Sequence, residues 1–387
     1  MSLRVGLLWP QTASLWAAGN MYFENLLESS LLASGPDERL VVIGPDSADG
    51  ASGRFPNAEF ALYGPPLVRS RLGMAARLVR KRMYVPEPGL TSAIKRSGVD
   101  VVFGDANQTA RYRVPWVGWI PDFQHCEAPE YFTVMQRAER DEGYSRMARY
   151  AKLIILSSED VGTHFERFAP EYAGKARVAP FVSLMADEVF LADPRQTVRA
   201  YGIEGRFVLV PNQWWRHKNH EVVIRAAALL NERGSDLTWV FTGALADYRD
   251  PSHISALLQL IARLGLSKHV SILGMLPRDE QLQLMRAAEV VVQPSLFEGW
   301  STVVEDAKTL GQRLVVSDLP VHREQEPPAS LFFEPSSPED LAGKVAAMLG
   351  GAFARPDEAE ARVASIDRAR VFGRRFLDIC AEAAGRS

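Results

Sequence analysis

Short apolar, β-branched runs alternate with longer amphipathic runs along most of this chain. In the first half the β-rich runs cover residues 4–9, 39–44, 100–104, 115–120, 153–157 and 177–182, and helical spacing is clearest at 21–33, 129–149 and 159–168. In the second half strands are predicted at 207–211, 238–242, 270–273, 290–293 and 314–317. Helices predicted at 220–232, 252–264, 278–288, 302–310 and 338–349 link them. Strands alternating with helices are the pattern of parallel sheets flanked by helices, so an α/β chain with two Rossmann-like halves is expected. The join is expected within 183–196, a polar stretch containing Asp193-Pro194 and lacking strong periodicity. A last helical run, 357–384, follows the breaker Arg355-Pro356.

Length and composition support two domains. A chain of 387 residues exceeds one comfortable core. With 47% hydrophobic and 24% charged residues and a net charge of −3, it reads as an ordinary globular protein without the basic excess of a nucleic-acid binder. The apolar runs are strand-sized and interrupted, so no bilayer span is expected, and Met1-Ser2-Leu3-Arg4-Val5 has no signal-peptide layout. Cys126 and Cys380 form neither a disulfide framework nor metal-ligand spacing, and a reducing cytoplasm is expected.

The densest chemistry lies in Pro294-Ser295-Leu296-Phe297-Glu298-Gly299-Trp300-Ser301-Thr302-Val303-Val304-Glu305-Asp306-Ala307-Lys308. A strand ends there in a polar loop that opens a helix. Two carboxylates, Glu298 and Glu305, are thereby set at the carboxyl edge of a sheet, where open α/β sheets bind ligands. Trp300, Ser301, Thr302 and Val303 fall at the helix N-terminus, where free N–H groups and the helix dipole favour an anion. Thr302-Val303-Val304-Glu305 also fits a capping box, in which Glu305 only closes the helix; both roles stand open on the sequence. Asn212-Gln213-Trp214-Trp215-Arg216-His217-Lys218-Asn219-His220 likewise leaves a strand and opens a helix, and Trp119-Ile120-Pro121-Asp122-Phe123-Gln124-His125 precedes a long helical run. After the first strand comes a turn through Gly19 and Asn20, and after another comes Gly274-Met275-Leu276-Pro277, where Arg278 and Glu280 read as helix starters.

Together these stretches resemble retaining glycosyltransferases of the two-domain GT-B fold, family 4 or group 1 type. The resemblance implies an acceptor-binding domain over 1–190, a nucleotide-sugar domain over 191–365, and a terminal helix, 366–387, crossing back to the first domain; the alternative is a helix that stays on its own domain. It implies that Glu305 accepts hydrogen bonds from ribose hydroxyls while Glu298 contacts the transferred sugar. It also implies that His125 faces that sugar near its anomeric carbon, and that Gly19 and main chain at Gly274 and Met275 approach the phosphate and base. Asn20 joins that glycine loop as a substrate contact, and Asp122 either contacts acceptor or orders its loop. Lys218 matches the lysine of the family's diphosphate loop; Gln213 stands where an arginine is usual, and Arg216 is one loop turn away to supply the charge. The chain departs from the family by having six residues between the two acids instead of seven, and Ser301-Thr302-Val303 in place of Gly-Leu-Pro.

The implied activity is hexose transfer from a nucleoside-diphosphate sugar to a glycan, lipid-linked or small-molecule acceptor, in surface polysaccharide or glycoconjugate assembly. No cofactor is expected. No Asp-x-Asp stands at a strand end, so metal-independent catalysis is expected, with the diphosphate's growing charge met by the protein. Rival readings are a nucleotide-sugar epimerase or hydrolase of related fold, or a non-catalytic sugar-nucleotide-binding subunit. Arg69, Arg71, Arg77, Arg80, Lys81 and Arg82 alternate with apolar residues, either as a solvated helix face or as a peripheral contact with anionic lipid at the inner membrane face.

Overall fold

The computed structural model describes residues 2–10, 17–45, 53–64, 86–105, 111–247 and 249–386; the basic run 69–82 lies outside the described residues. The chain forms two compact units. One comprises Met1–Phe123, Val134–Val182 and Asp367–Ser387, the other Gln124–Thr133 and Ser183–Ile366.

In the first unit the strands are β1 (Leu3–Leu8), β2 (Glu38–Pro45), β3 (Glu59–Tyr63), β4 (Val101–Asp105), β5 (Trp116–Ile120), β6 (Leu153–Leu156) and β7 (Ala176–Val178). They make one parallel sheet ordered β3-β2-β1-β4-β5-β6-β7. Every residue of β4 and β5 is buried, as expected of central strands covered by helices on both faces. Edge strand β3 escapes the sequence pattern because Glu-Phe-Ala-Leu-Tyr is only half-buried. Helix Ala17–Ala33 carries Tyr22, whose ring stacks on Trp119 at 3.6 Å. The last helix, Glu358–Ala383, continues into this unit from Asp367. Gly373 meets the first helix so closely that a Cβ would lie 2.0 Å from the Ser29 carbonyl oxygen.

The second unit holds β8 (Phe207–Pro211), β9 (Thr238–Thr242), β10 (Val270–Gly274), β11 (Val290–Gln293), β12 (Leu314–Ser317) and β13 (Ser330–Phe333). Its parallel sheet is ordered β10-β9-β8-β11-β12-β13. The strand order reverses between β8 and β11, so the loops leaving these two strands flank the crevice where such sheets take ligands.

Local departures from the sequence pattern have local causes. The stretch expected as a loop at 183–196 contains helices Asp187–Leu191 and Pro194–Ala200; Asp193 caps the second by accepting from Arg195 N, and Pro194 suits its first position. The helix expected at 129–149 is divided. Pro129–Tyr131 make a 3-10 turn, Phe132 is extended, and the α-helix runs over Val134–Tyr150.

Candidate active site

The two strands at the reversal are joined at their carboxyl ends by side chains. Asn212 Nδ2, just after β8, donates to Gln293 Oε1 at the end of β11 over 2.8 Å, and both residues are buried. The β8 loop then makes a 3-10 turn, Arg216–Lys218, ending at Asn219 in the left-handed region (φ 52°). Asn is among the few non-glycine residues that tolerate this conformation. Here its Nδ2 donates to the carbonyls of Pro294 (3.2 Å) and Pro335 (2.8 Å). Leu296 N donates to the His217 carbonyl at 2.7 Å, so the loops after β8 and β11 are tied by main chain as well.

Glu298 and Lys218 meet across this join. Glu298 Oε1 accepts from Lys218 Nζ (2.5 Å), Gln293 Nε2 (2.7 Å) and Ser295 Oγ (2.6 Å), while Oε2 has no partner among the described residues. The Lys218 and Glu298 side chains are only 14% and 11% exposed, so the pair is largely desolvated. His322 is buried nearby with its Nδ1–H donating to the Ser317 carbonyl at 2.8 Å, which leaves Nε2 unprotonated. Burial pushes the His322 imidazole below its usual range; Glu298 and the Ser317 carbonyl oppose the shift and Lys218 adds to it.

The acid helix, Thr302–Thr309, is capped by Ser301, whose Oγ accepts from Val304 N. The cap is therefore one residue earlier than the Thr302-led capping box would place it. Gln325, unmarked by any sequence motif, holds this end. Its Oε1 accepts from Ser301 N (3.1 Å), and its Nε2 donates to the Ser301 carbonyl and to Glu305 Oε1 (3.0 Å each). Lys308 Nζ donates to the same Glu305 oxygen (3.1 Å) and to the Gln325 carbonyl (2.7 Å). The amide of Ser301 is thus engaged internally and is not open to an anion, contrary to the sequence expectation. Those of Thr302 and Val303 have no partner among the described residues, because a first helical turn has no preceding carbonyls.

The loops after β9 and β10 close the other side. Gly243 has φ 103°, and a Cβ there would lie 2.2 Å from the Asn212 carbonyl oxygen; its N–H donates to the Gly274 carbonyl at 2.8 Å. Only glycine accepts both demands. Gln213 Oε1 accepts from Ala244 N (2.9 Å), and its Nε2 faces Met275 Sδ at 3.8 Å. Gln213, Gly274 and the exposed Met275 therefore gather in one place. Arg216 is oriented differently. Its backbone N donates to the buried Asp247 (2.9 Å), while its guanidinium, 60% exposed, lies 3.9 Å from Asp250.

Segment Gln124–Thr133, expected within a first domain over 1–190, clusters with the second unit. Arg249, paired with Asp247, lies over the rings of Phe132 (5.3 Å) and Trp215 (5.2 Å), a cation–π arrangement that grips the segment. Arg249 Nη2 is 3.3 Å from His217 Nδ1, and the Tyr131 and His217 rings are 6.1 Å apart. His125 is buried here, edge-on to Phe132. Asp122, Gly19 and Asn20 belong to the first unit. Asp122 pairs with Arg140 at 3.5 Å, and Gly19 and Asn20 lie in the first turn of helix Ala17–Ala33 rather than in a loop.

Residues 199–365 match the family model "Glycosyl transferases group 1". The chain carries a group 1 glycosyltransferase domain. Solved structures similar to this glycosyltransferase over nearly its whole length include Anabaena Alr3699/HepE in complex with UDP and glucose. That structure is 17% identical, with 98% of this chain and 99% of that one covered at a TM-score of 0.69. A glycosyltransferase from Rickettsia africae is 15% identical, with both chains covered over 100% and a TM-score of 0.67. Sucrose-phosphate synthase from Thermosynechococcus elongatus is 16% identical, with 98% and 97% covered and a TM-score of 0.64. At these identities the likeness establishes the fold, which is GT-B: two Rossmann-like domains, each built on a parallel sheet. No curated protein sequence matches the chain. Among the described residues, no helix of the glycosyltransferase is long and apolar enough to cross a membrane.

Proposed function

We propose that this glycosyltransferase moves a hexose from a nucleoside-diphosphate sugar to a glycan, lipid-linked or small-molecule acceptor with retention of configuration and without a metal. The observation that carries the reading is the pairing of Lys218 with Glu298 beside the N-terminus of the helix that bears Glu305. Breaking a glycosidic phosphate ester places negative charge on the leaving diphosphate, and catalysis requires that charge to be met where it develops. Lys218 and the unengaged amides of Thr302 and Val303 supply that positive potential without an ion. Glu305, steadied by Gln325 and Lys308, is the acceptor for ribose hydroxyls, and Glu298 presents Oε2 to the sugar. A neutral His125 next to the anomeric carbon would position the oxocarbenium-like centre. Among the described residues no side chain declares itself a covalent nucleophile, and in this reading the leaving phosphate acts as base on the same face. HepE has been crystallised with UDP and glucose and with UDP-glucose, which makes UDP-glucose the first donor to try. Surface polysaccharide or glycoconjugate assembly in the cytoplasm, at the inner membrane face, is the setting proposed.

The test is a thermal-shift panel of UDP-, GDP- and ADP-sugars. A donor at about a hundred times its Kd adds about 2.7 kcal/mol of apparent stability. If no member of the panel raises the unfolding temperature of the wild type, the donor reading fails. Transfer that stops in EDTA and returns with manganese would refute the metal-free mechanism.

A further inference from the structure

Nothing in the family resemblance accounts for the buried amide pair at the strand reversal. We propose that Gln293 and Asn212 are positioning residues that orient Glu298, by a relay running from Asn212 through Gln293 to Glu298 Oε1. The proposal rests on the reading of Glu298 as the acid facing the transferred sugar.

The geometry permits one orientation of the relay. Asn212 Nδ2 donates to Gln293 Oε1 (2.8 Å), which turns Gln293 Nε2 toward Ser295 Oγ (3.0 Å) and Glu298 Oε1 (2.7 Å). The two N–H bonds of one primary amide are both used, and its carbonyl is used as well. A flipped Gln293 would set its carbonyl oxygen against the carboxylate and face Asn212 with a second donor. Asn212, Gln293 and Ser295 are buried, at 3%, 0% and 0% exposure, so water does not substitute for a lost partner. With Lys218 and Ser295 completing the set on Oε1, the carboxylate's rotation is fixed and Oε2 is the oxygen left for a ligand. Because Asn212 leaves β8 and Gln293 ends β11, Glu298 is referenced to the two central strands rather than to its own loop. The charged and titratable groups around the relay are Lys218, His322 and, behind Asn212, His220.

Gln293→Glu tests the relay, since it keeps the size and replaces the donor by a carboxyl group. Two carboxyls in contact share one proton, and that singly charged state imitates the native pair; removing the proton at higher pH creates like charges in one buried place. The experiment compares wild type, Gln293→Glu, Gln293→Met and Glu298→Gln between about pH 5.5 and about pH 8, spanning carboxyl values raised from their usual range. Nucleoside diphosphate release from UDP-glucose, GDP-mannose and ADP-glucose is read beside ligand-free thermal unfolding. For Gln293→Glu we expect turnover near wild type at the acid end and a fall of about tenfold relative to wild type by the alkaline end, as for one lost charge-assisted bond. Its unfolding temperature should decline relative to wild type over the same range. Gln293→Met should be slower at every pH, with no new pH dependence. A Gln293→Glu enzyme that tracks wild type in both readouts overturns the proposal. If Glu298→Gln keeps wild-type turnover, or if wild type releases nothing from any of the three donors, the reading beneath the proposal fails. That case is told apart because the unfolding of Gln293→Glu would still depend on pH. Should Gln293→Glu not fold, Asn212→Asp reads the same relay: its carboxylate would repel Gln293 Oε1, and turnover should again fall toward alkaline pH.

Discussion

Removing Lys218 would strand Glu298. The carboxylate is largely desolvated, and among the described residues Lys218 is the cation in contact with it. A buried charge deprived of its partner typically costs about 3 kcal/mol, more than the pair itself contributes, because its desolvation is then uncompensated. Lys218→Met should therefore lower unfolding stability by about that much, and adding Glu298→Gln should restore part of it. Denaturant unfolding of the two singles and the double variant checks this; strictly additive losses would mean the residues are independent in the fold. Sequence motifs pointed to both members of this pair, because each sits where a strand gives way to a helix. They did not point to Gln325. It lies 20 residues beyond Glu305 along the chain, in His322-Arg323-Glu324-Gln325, and only the return of β12 and helix Pro320–Glu324 brings it against Ser301. Ser301 misleads in the opposite direction: its place at a helix N-terminus implies a free amide, and Gln325 Oε1 takes that amide up.

At the scale of elements, the loops after β8, β9, β10 and β11 act as one support, and two substitutions probe it. Gln325→Ala deletes bonds to Ser301 and Glu305 without touching the reacting centre. A lost hydrogen bond to a charged group is worth about 1.5–3 kcal/mol, so the donor KM should rise at least about tenfold while kcat changes little. An unchanged KM would show that Glu305 needs no such brace. Gly243→Ala should destabilise by about 2 kcal/mol or more, since it adds a Cβ against the Asn212 carbonyl in a conformation L-residues avoid. A wild-type unfolding temperature for that variant would mean the two loops move apart at little cost. The second-half strands were legible because near-continuous runs such as Phe207–Pro211 and Val290–Gln293 are buried over their whole length. β13 was not, because Ser330–Phe333 is a four-residue run between prolines and is only partly buried. The break at Phe132 was invisible for a different reason: that residue is extended in a helical neighbourhood and lies against Arg249, a contact 117 positions away in sequence.

For the whole molecule, the repeated strand–helix alternation and the carboxyl-edge motifs were enough to anticipate two Rossmann-like units, whereas buried charge and buried histidine needed the structure. His220 is held to about 3, first by burial and then by His253 and Lys218, and burial likewise lowers His322. Burial disfavours the proton on both in the folded chain, whereas the unfolded chain takes up protons below about pH 6.5. Folding therefore enjoys its full stability above that pH and loses it as pH falls, by up to about 1.4 kcal/mol per pH unit for each such histidine. A second loss begins lower. Burial tends to raise Glu38, but Arg374 and the Gly35 amide outweigh it and hold the carboxyl below its usual range, so its contribution vanishes only as pH falls through the carboxylate region. Arg374 lies on the last helix, one residue after Gly373, so acid also weakens the grip of that helix on the first unit. Denaturant midpoints should hence be flat from about pH 8 to about pH 7 and decline from about pH 6 downward, before the carboxylates titrate. Replacing both histidines by Asn should shift the onset of that decline toward the carboxylate range. An onset unmoved by the double substitution would assign acid sensitivity to the ion pairs alone and remove the histidines from the account.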